Sequence, residues 1–369
     1  MALIGGGPGA FIGPIHRLAA EMDGRIALVA GAFSSDPARS REGGMQYGID
    51  PDRAYPDFAT MLASERDRID GIDMVAVVTP NHAHFAAATA ALKAGFAVMS
   101  DKPATTTLTD ARALAEVVAS TDRPYALSYT YSGYPLVREG RARIAAGALG
   151  SVRRVMVDYP QGWLAAPLER GANKQAAWRV DPASSGVGGC IGDIGVHAFH
   201  LAEFMTGLRV TELLADLGTV VEGRALDDDV AVLLRFEGGV RGVLTASQVA
   251  TGERNGLTIR IYGEKAGMVW RQEQPDRLDI LHSDARSETI WGGGDALGVD
   301  ARVSSRTPGG HPEGYLEAFA NLYRDFADLI QGGAAPLLPG IDAGIRSMAF
   351  IEAAVAASRN CAGWIKFEG

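Results

Sequence analysis

ALIGGGPGAFIGPIHRLAAEM, residues 2–22, passes from a short apolar run into a cluster of glycines and then into a segment where Ile15, Leu18, Ala19 and Met22 recur at helical spacing. IALVAGAF (26–33) follows and reads as a buried strand. Strand, glycine loop, helix and strand form a βαβ unit. In such a unit the glycines let the backbone approach a pyrophosphate, and the helix N-terminus favours its negative charge. Gly5, Gly7, Gly9, Ala10, Phe11 and Ile12 are therefore candidate cofactor contacts. The loop is three residues longer than the usual GxGxxG, because the next glycine in a G-x-x-H context is Gly13. A structural turn is the alternative reading.

The alternation continues downstream. MVAVVTP (74–80), FAVMSDKP (96–103) and YALSYTY (125–131) read as strands. HFAAATAALKAG (84–95) and LTDARALAEVVAST (108–121) read as helices, the second capped by Thr109 or Asp110. This pattern predicts a parallel sheet covered on both faces. Ligands bind such a sheet at the carboxyl ends of its strands. At the end of the second strand, Asp36 would hold an adenosine ribose and serve NAD, whereas Ser34, Ser35 and Arg39 would serve the 2′-phosphate of NADP. NAD is the expected cofactor and NADP the alternative; for Asp36, a helix cap is the bland reading. Thr79, Pro80, Asn81 and His84 stand at the next strand end, and Asp101 and Lys102 at the one after. A surface turn is the alternative for Lys102.

From about residue 150 the pattern changes. VRRVMVDYP (152–160), VTELLADLGTVV (210–221), DVAVLLRFEGG (229–239), VRGVLTASQVA (240–250), LTIRIYG (257–263), MVWRQE (268–273) and LDILHS (278–283) read as strands joined by short glycine-containing turns, which predicts an antiparallel sheet. Residues 291–310 read as one long loop. Two helices follow, one carrying the stripe Tyr315, Phe319, Leu322, Phe326 and Leu329, the other near 342–358. The expected fold is thus an α/β Rossmann dinucleotide-binding domain over 1–130 and an α+β domain with a large, mainly antiparallel sheet over 131–369. The last helices are free to pack back on either.

The chain has 369 residues, a net charge of −9 and two cysteines, Cys190 and Cys361. The charge argues against a nucleic-acid or anionic-membrane partner. The cysteines form no disulfide framework or zinc motif, and Cys190 reads as a small buried thiol. No run reaches the roughly 18 apolar residues of a membrane span, and the start MALIGGG lacks the pattern of a signal peptide, so a cytoplasmic protein is expected. Asp227, Asp228 and Asp229 read as a solvated turn before a strand.

GDIGVHAFH (192–200) spaces Asp193 and His197 four residues apart, with His200 three further on. If the segment opens a helix, both side chains lie on one face. A plain structural helix, a metal site or an acid–base pair would each use that spacing, and no third strong ligand is near enough to favour the metal. Trp178 and Arg179 precede it as an aromatic face with a forked donor, a combination that suits a polyol as well as a core. Tyr131 and Trp163 are candidate lining residues. His311 reads as either a helix cap before Pro312 or a substrate contact.

Taken in order, the GxG loop, TPNHAH, DKP and GDIGVH resemble the Gfo/Idh/MocA family (glucose–fructose oxidoreductase, inositol dehydrogenase and relatives), with Asp101 where EKP is commoner. GGGPGAFIG, AGAFSSDP and GGHPEG look like the branch of inositol and levoglucosan-type dehydrogenases. The resemblance implies a nicotinamide-dependent oxidation of a ring secondary alcohol in a sugar, anhydrosugar, glycoside or cyclitol. It places Lys102, Asp193 and His197 in one catalytic site, with His197 as acid–base, Asp193 as its orienter or a substrate contact, and Lys102 favouring alkoxide character. It also implies a homodimer or homotetramer. The alternatives are a bound-NAD redox cycle ending in hydrolysis, elimination or sugar-to-sugar transfer, and a non-enzymatic NAD(P)-binding sensor.

Overall fold

The computed structural model describes residues 1–361 and 363–367. Two compact units emerge from its packing: Met1–Tyr129 with Phe319–Met348, and Thr130–Ala318 with the chain from Ala349 onward.

The first unit opens with β1 (Ala2–Gly5), α1 (Ile12–Glu21), β2 (Ala30–Ala32), α2 (Pro37–Tyr47), α3 (Phe58–Arg66), β3 (Met74–Val78), α4 (His84–Lys93), β4 (Ala97–Ser100), α5 (Leu108–Thr121) and β5 (Tyr125–Leu127). Among the described residues its sheet has five strands in the order β2-β1-β3-β4-β5, and every pair is parallel. The strands read as continuous apolar runs because both faces are covered; all five residues of β3 are buried. The order reverses between β1 and β3, which leaves a crevice beyond their carboxyl ends. β2 is shorter than the 26–33 expected from sequence, since its partner β1 pairs only from Ala2↔Ala30 onward. The cap of α5 is Thr107, whose hydroxyl accepts from the Asp110 amide, rather than Thr109 or Asp110. The helix begins one residue after it, so Thr109 and Asp110 already lie in the first turn.

The second unit contains α6 (Pro135–Ala145), β6 (Val152–Pro160), α7 (Lys174–Arg179), α8 (Pro182–Ser185), a π turn (Ile191–Gly195) running into α9 (Val196–Thr206), then β7 (Val210–Gly218), β8 (Asp229–Phe236), β9 (Arg241–Ser247), β10 (Thr258–Gly263), β11 (Ala266–Arg271), β12 (Gln274–His282), β13 (Ser287–Trp291) and α10 (Val299–Ser304). α11 (Tyr315–Ile330) and α12 (Ile341–Arg359) each pass from one unit into the other, and β14 (Ile365–Lys366) ends the described chain. Among the described residues the sheet has nine strands in the order β13-β12-β11-β10-β6-β9-β8-β7-β14. All its pairs are antiparallel except β6 with β9. Alternate residues face the core: Val230, Val232, Leu234 and Phe236 of β8 are buried while Asp229, Ala231 and Leu233 are exposed. Residues 291–310 are not one loop. α10 forms inside them because it docks on α6: Arg138 donates to Ser304 Oγ at 2.9 Å, and Glu139 accepts from the Gly298 amide at 2.7 Å. A six-residue helix without a side-chain cap leaves little signal in the sequence.

Candidate active site

In the first unit, backbone geometry shapes the edge of the sheet. Gly7 donates its amide to the Phe33 carbonyl at 3.0 Å, and a Cβ at Gly7 would lie 2.5 Å from that same oxygen. A Cβ at Gly13 would lie 2.6 Å from Gly6 Cα, so these two glycines allow loop, helix and strand to close on one another. α2, α3 and α5 are capped by Asp36, Asp57 and Thr107, whereas α1 and α4 have no side-chain cap and no acidic residue in their first turns. An uncapped N-terminus at the crevice, with Gly9, Ala10, Phe11 and Ile12 leading into it, fits the pyrophosphate of a dinucleotide. Phe11 is 57% exposed there.

Beyond β2, Asp36 Oδ1 accepts from the amides of Ala38 and Arg39, both at 2.9 Å, and Ser34 Oγ accepts from the Asp36 amide at 3.2 Å. Arg39 Nη2 donates to the Pro8 carbonyl at 2.9 Å, which ties α2 to the glycine loop. Thr79 and Pro80 follow β3, and Asn81 is buried in the short turn after them. His84 is also buried: its Nδ1 lies 2.7 Å from the Pro103 carbonyl oxygen and its Nε2 2.9 Å from that of Thr79. The ring therefore braces two strand ends, and its nitrogens face the protein's own backbone. Asp101 Oδ1 accepts from the Lys102 amide at 2.8 Å and from Ser128 Oγ at 2.7 Å, so this carboxylate shapes the turn that carries half-buried Lys102.

In the second unit the arrangement is made of side chains. Asp193 lies in the π turn and His197 one residue into α9. Asp193 Oδ2 accepts from Arg179 Nε at 3.2 Å and from Gln248 Nε2 at 2.9 Å. The Arg179 guanidinium stands 4.2 Å from the Trp178 ring centre and 5.7 Å from that of Trp163, and Nη1 is held by the Gln175 side chain at 2.6 Å. Tyr131 packs edge-to-face with His197 at 5.0 Å between ring centres. Its hydroxyl bonds that of Tyr159, which donates to Asn255 Oδ1 at 2.7 Å. Burial raises the Tyr131 phenol well above its ordinary range, so it stays protonated. Trp163, Trp178, Arg179 and Asp193 are thus brought together, as are Tyr131 and His197. His200 is held neutral, pushed down to about 3 by burial and by Arg141 and Arg209.

His311 is not a helix cap, since α11 begins at Tyr315; its exposed ring lines a shallow cleft with Asp276, Thr307 and Glu313. Of Asp227–Asp229, only Asp229 is exposed, at the start of β8, and the first two acids are not solvated as expected. Asp227 accepts from the amides of Gly189 and Ile191, and Asp228, 2% exposed, accepts from those of Val220 and Val221. Backbone amides, and for Asp228 also Arg224 Nη1 at 3.1 Å, satisfy these two carboxylates. Gln248 and Asp227 were both missed by sequence reasoning, and neither lies in a motif that marks it. Among the described residues no group of three His, Cys, Asp or Glu side chains gathers as metal ligands would, and no helix is long and apolar enough to cross a membrane.

Residues 1–129 match the oxidoreductase family with an NAD-binding Rossmann fold, and residues 137–269 match the GFO/IDH/MocA C-terminal domain. An uncharacterized oxidoreductase of Bacillus subtilis, YfiI, is 32% identical across 100% of this chain and 96% of its own. The chain belongs to the Gfo/Idh/MocA family. A solved structure, an inositol dehydrogenase homolog from Azotobacter vinelandii complexed with NADH and myo-inositol, superposes with a TM-score of 0.92 at 37% identity, covering 99% of this chain and 97% of that one. Levoglucosan dehydrogenase of Pseudarthrobacter phenanthrenivorans is 26% identical over 78% of this chain and 77% of its own. The Gfo/Idh/MocA chain described here is accordingly a nicotinamide-dependent oxidoreductase of the dehydrogenase type acting on CH–OH groups.

Proposed function

We propose that this protein oxidises a ring secondary alcohol of a cyclitol, sugar, anhydrosugar or glycoside to the ketone, with NAD as acceptor. The observation that carries the reading is the polar cluster of the second unit, where Asp193 is held by a guanidinium and an amide and His197 lies four residues on against an aromatic wall. In this reading His197 takes the hydroxyl proton, since an imidazole is suited to proton transfer near neutral pH and Tyr131 packs edge-to-face against this ring. Asp193, held by Arg179 and Gln248, orients that imidazole or a neighbouring hydroxyl. Trp163 and Trp178 face the apolar C–H surface of the ring, and Arg179 donates to its hydroxyls. Lys102 acts on the same alcohol, favouring alkoxide character as the C–H bond weakens. The bound nicotinamide supplies the hydride acceptor. We favour NAD over NADP because Asp36, which caps α2 through Oδ1, follows β2, while the Arg39 guanidinium is engaged by the Pro8 carbonyl. The relatives named for inositol and levoglucosan support the substrate class. A homodimer or homotetramer is the proposed assembly, to be read by sedimentation.

The test is NAD and NADP reduction, followed at the nicotinamide band, with myo- and scyllo-inositol, levoglucosan, glucose, xylose and simple glucosides. Reduction of NAD by one of these supports the reading and names the class. Cofactor binding with silence across the panel overturns net oxidation of these alcohols.

A further inference from the structure

We infer that Asp227 is a positioning residue that fixes the π turn carrying Asp193 into α9. The inference rests on the reading of Asp193 and His197 as the acid–base pair. Three consecutive amides at the entrance to the turn end on this one residue. Gly189 donates to Asp227 Oδ1 and Ile191 to Oδ2, both at 2.7 Å, and Cys190 donates to the Asp227 carbonyl at 2.8 Å. At an ordinary helix start such amides are left to a capping side chain or to water. Here they are gathered from 38 and 36 residues away in sequence, from the chain that leads into β8.

What the clamp holds is irregular. Val196 donates its amide five residues back to Ile191, and Cys190 and Gly195 at the ends of the π turn carry no side-chain cap. A π turn inserts one residue into the helical winding and is a strained, uncommon element. It rotates Asp193 about the helix axis relative to His197 compared with a plain α-helix. The spacing of four therefore has its observed geometry only while the turn persists. The next residue along works to the same end: the Asp228 carbonyl accepts from the Gln248 amide at 2.9 Å, and Gln248 Nε2 reaches Asp193 Oδ2 at 2.9 Å. One short segment, 227–228, thus indexes both the backbone under Asp193 and the amide that grips its carboxylate.

A carboxylate is needed because it alone offers two acceptors at this size. Asparagine has the same shape but would turn an N–H towards one of the two amides. Cys190 provides the probe. It is buried between the clamped amides, and the chain's other cysteine, Cys361, is exposed. A thiol reagent added to the native protein should label Cys361 at once and Cys190 slowly. In Asp227→Asn, Cys190 should label at least about 10-fold faster, kcat should fall about 10- to 100-fold as for a misplaced catalytic group, and the pH profile of kcat should move. NADH affinity should stay unchanged.

Unchanged Cys190 labelling in Asp227→Asn, or faster labelling with wild-type kcat and pH profile, overturns the proposal. His197→Ala in the same assay reports on the acid–base reading alone: full turnover there sinks that reading. An inactive His197→Ala beside a fully active Asp227→Asn sinks only the clamp. Amide hydrogen exchange on the wild type gives a test that no folding defect can obscure. The 189–191 amides should exchange as slowly as those of β8, and exchange at surface-loop rates would refute the clamp.

Discussion

The two units shape the edges that carry their candidate residues by opposite means. In the first, the edge is shaped largely by backbone: glycines at 7 and 13 leave out side chains that have no room, α1 is left uncapped, His84 bonds two main-chain carbonyls, and Asp101 accepts from the Lys102 amide as well as from Ser128 Oγ. In the second, the edge is a network of side chains, with Arg179 and Gln248 converging on Asp193 and with Tyr131, Tyr159 and Asn255 joined behind His197. Residues of the first unit matter chiefly for what they omit, those of the second for what they hold. A backbone cradle suits a cofactor that many enzymes share. A side-chain network suits a substrate that must be told from its neighbours.

Substitutions can break that contrast. The largest expected effect is on turnover in the second unit: His197→Ala should lower kcat by about 10²- to 10⁴-fold, the usual contribution of a general base, and abolish a neutral-pH optimum. Wild-type pH dependence in that variant would remove His197 as the base. Lys102 is the exception within the first unit, a side chain expected to act on the alcohol; Lys102→Ala should cost about 100-fold in kcat, with the melting temperature kept. Near-normal turnover would return that whole unit to cofactor binding.

Acid sensitivity sharpens the comparison next. His16, fully buried on α1 and bonded to Tyr323 Oη at 2.7 Å, is pushed down to about 4 by burial. The unfolded chain binds that proton at about 6.5, so stability from this group is complete above pH 6.5 and drains away as pH falls towards 4. The loss is about 3 kcal/mol at most. His16→Phe should therefore flatten the decline of melting temperature between pH 7 and pH 5, and an unaltered slope would assign acid lability elsewhere, with His200 the next residue to vary. The smallest effect expected is at Gly7. Gly7→Ala sets a methyl group against the Phe33 carbonyl and should cost about 1–3 kcal/mol, with weaker NADH binding by fluorescence titration. Unchanged stability and binding would show that the loop does not need its missing side chain.

Much of this was legible in the sequence. The parallel sheet announced itself because each strand is an unbroken apolar run between a glycine or proline and a helix, as in MVAVVTP. β6 (152–160) was readable to the residue because its alternating pattern is bounded by Gly150 and Pro160. α10 was not readable, because its stability comes from Arg138 and Glu139, more than 150 residues away. Asp193 and His197 were visible as a spacing, but the π turn beneath them was not, since nothing local distinguishes it from an α-helix. Asp227 was misread for a related reason. Three consecutive acids look like a solvated turn unless it is known that backbone amides of 189, 191, 220 and 221 arrive to meet the first two.

The place of β6 has a kinetic consequence. β7, β8 and β9 form one meander of sequence neighbours, and β10 to β13 form another. Among the described residues only β6 joins them, pairing antiparallel with β10 and parallel with β9, at Arg154↔Arg241 and onward. Each meander closes short loops, whereas seating β6 closes loops of many tens of residues, the entropically slow kind. The seam should therefore form last and set the refolding rate. Val157→Ala, in the buried row of β6, should slow refolding more than the matching change at Val232 of β8, and equal effects in stopped-flow refolding would place the rate-limiting contact outside the seam.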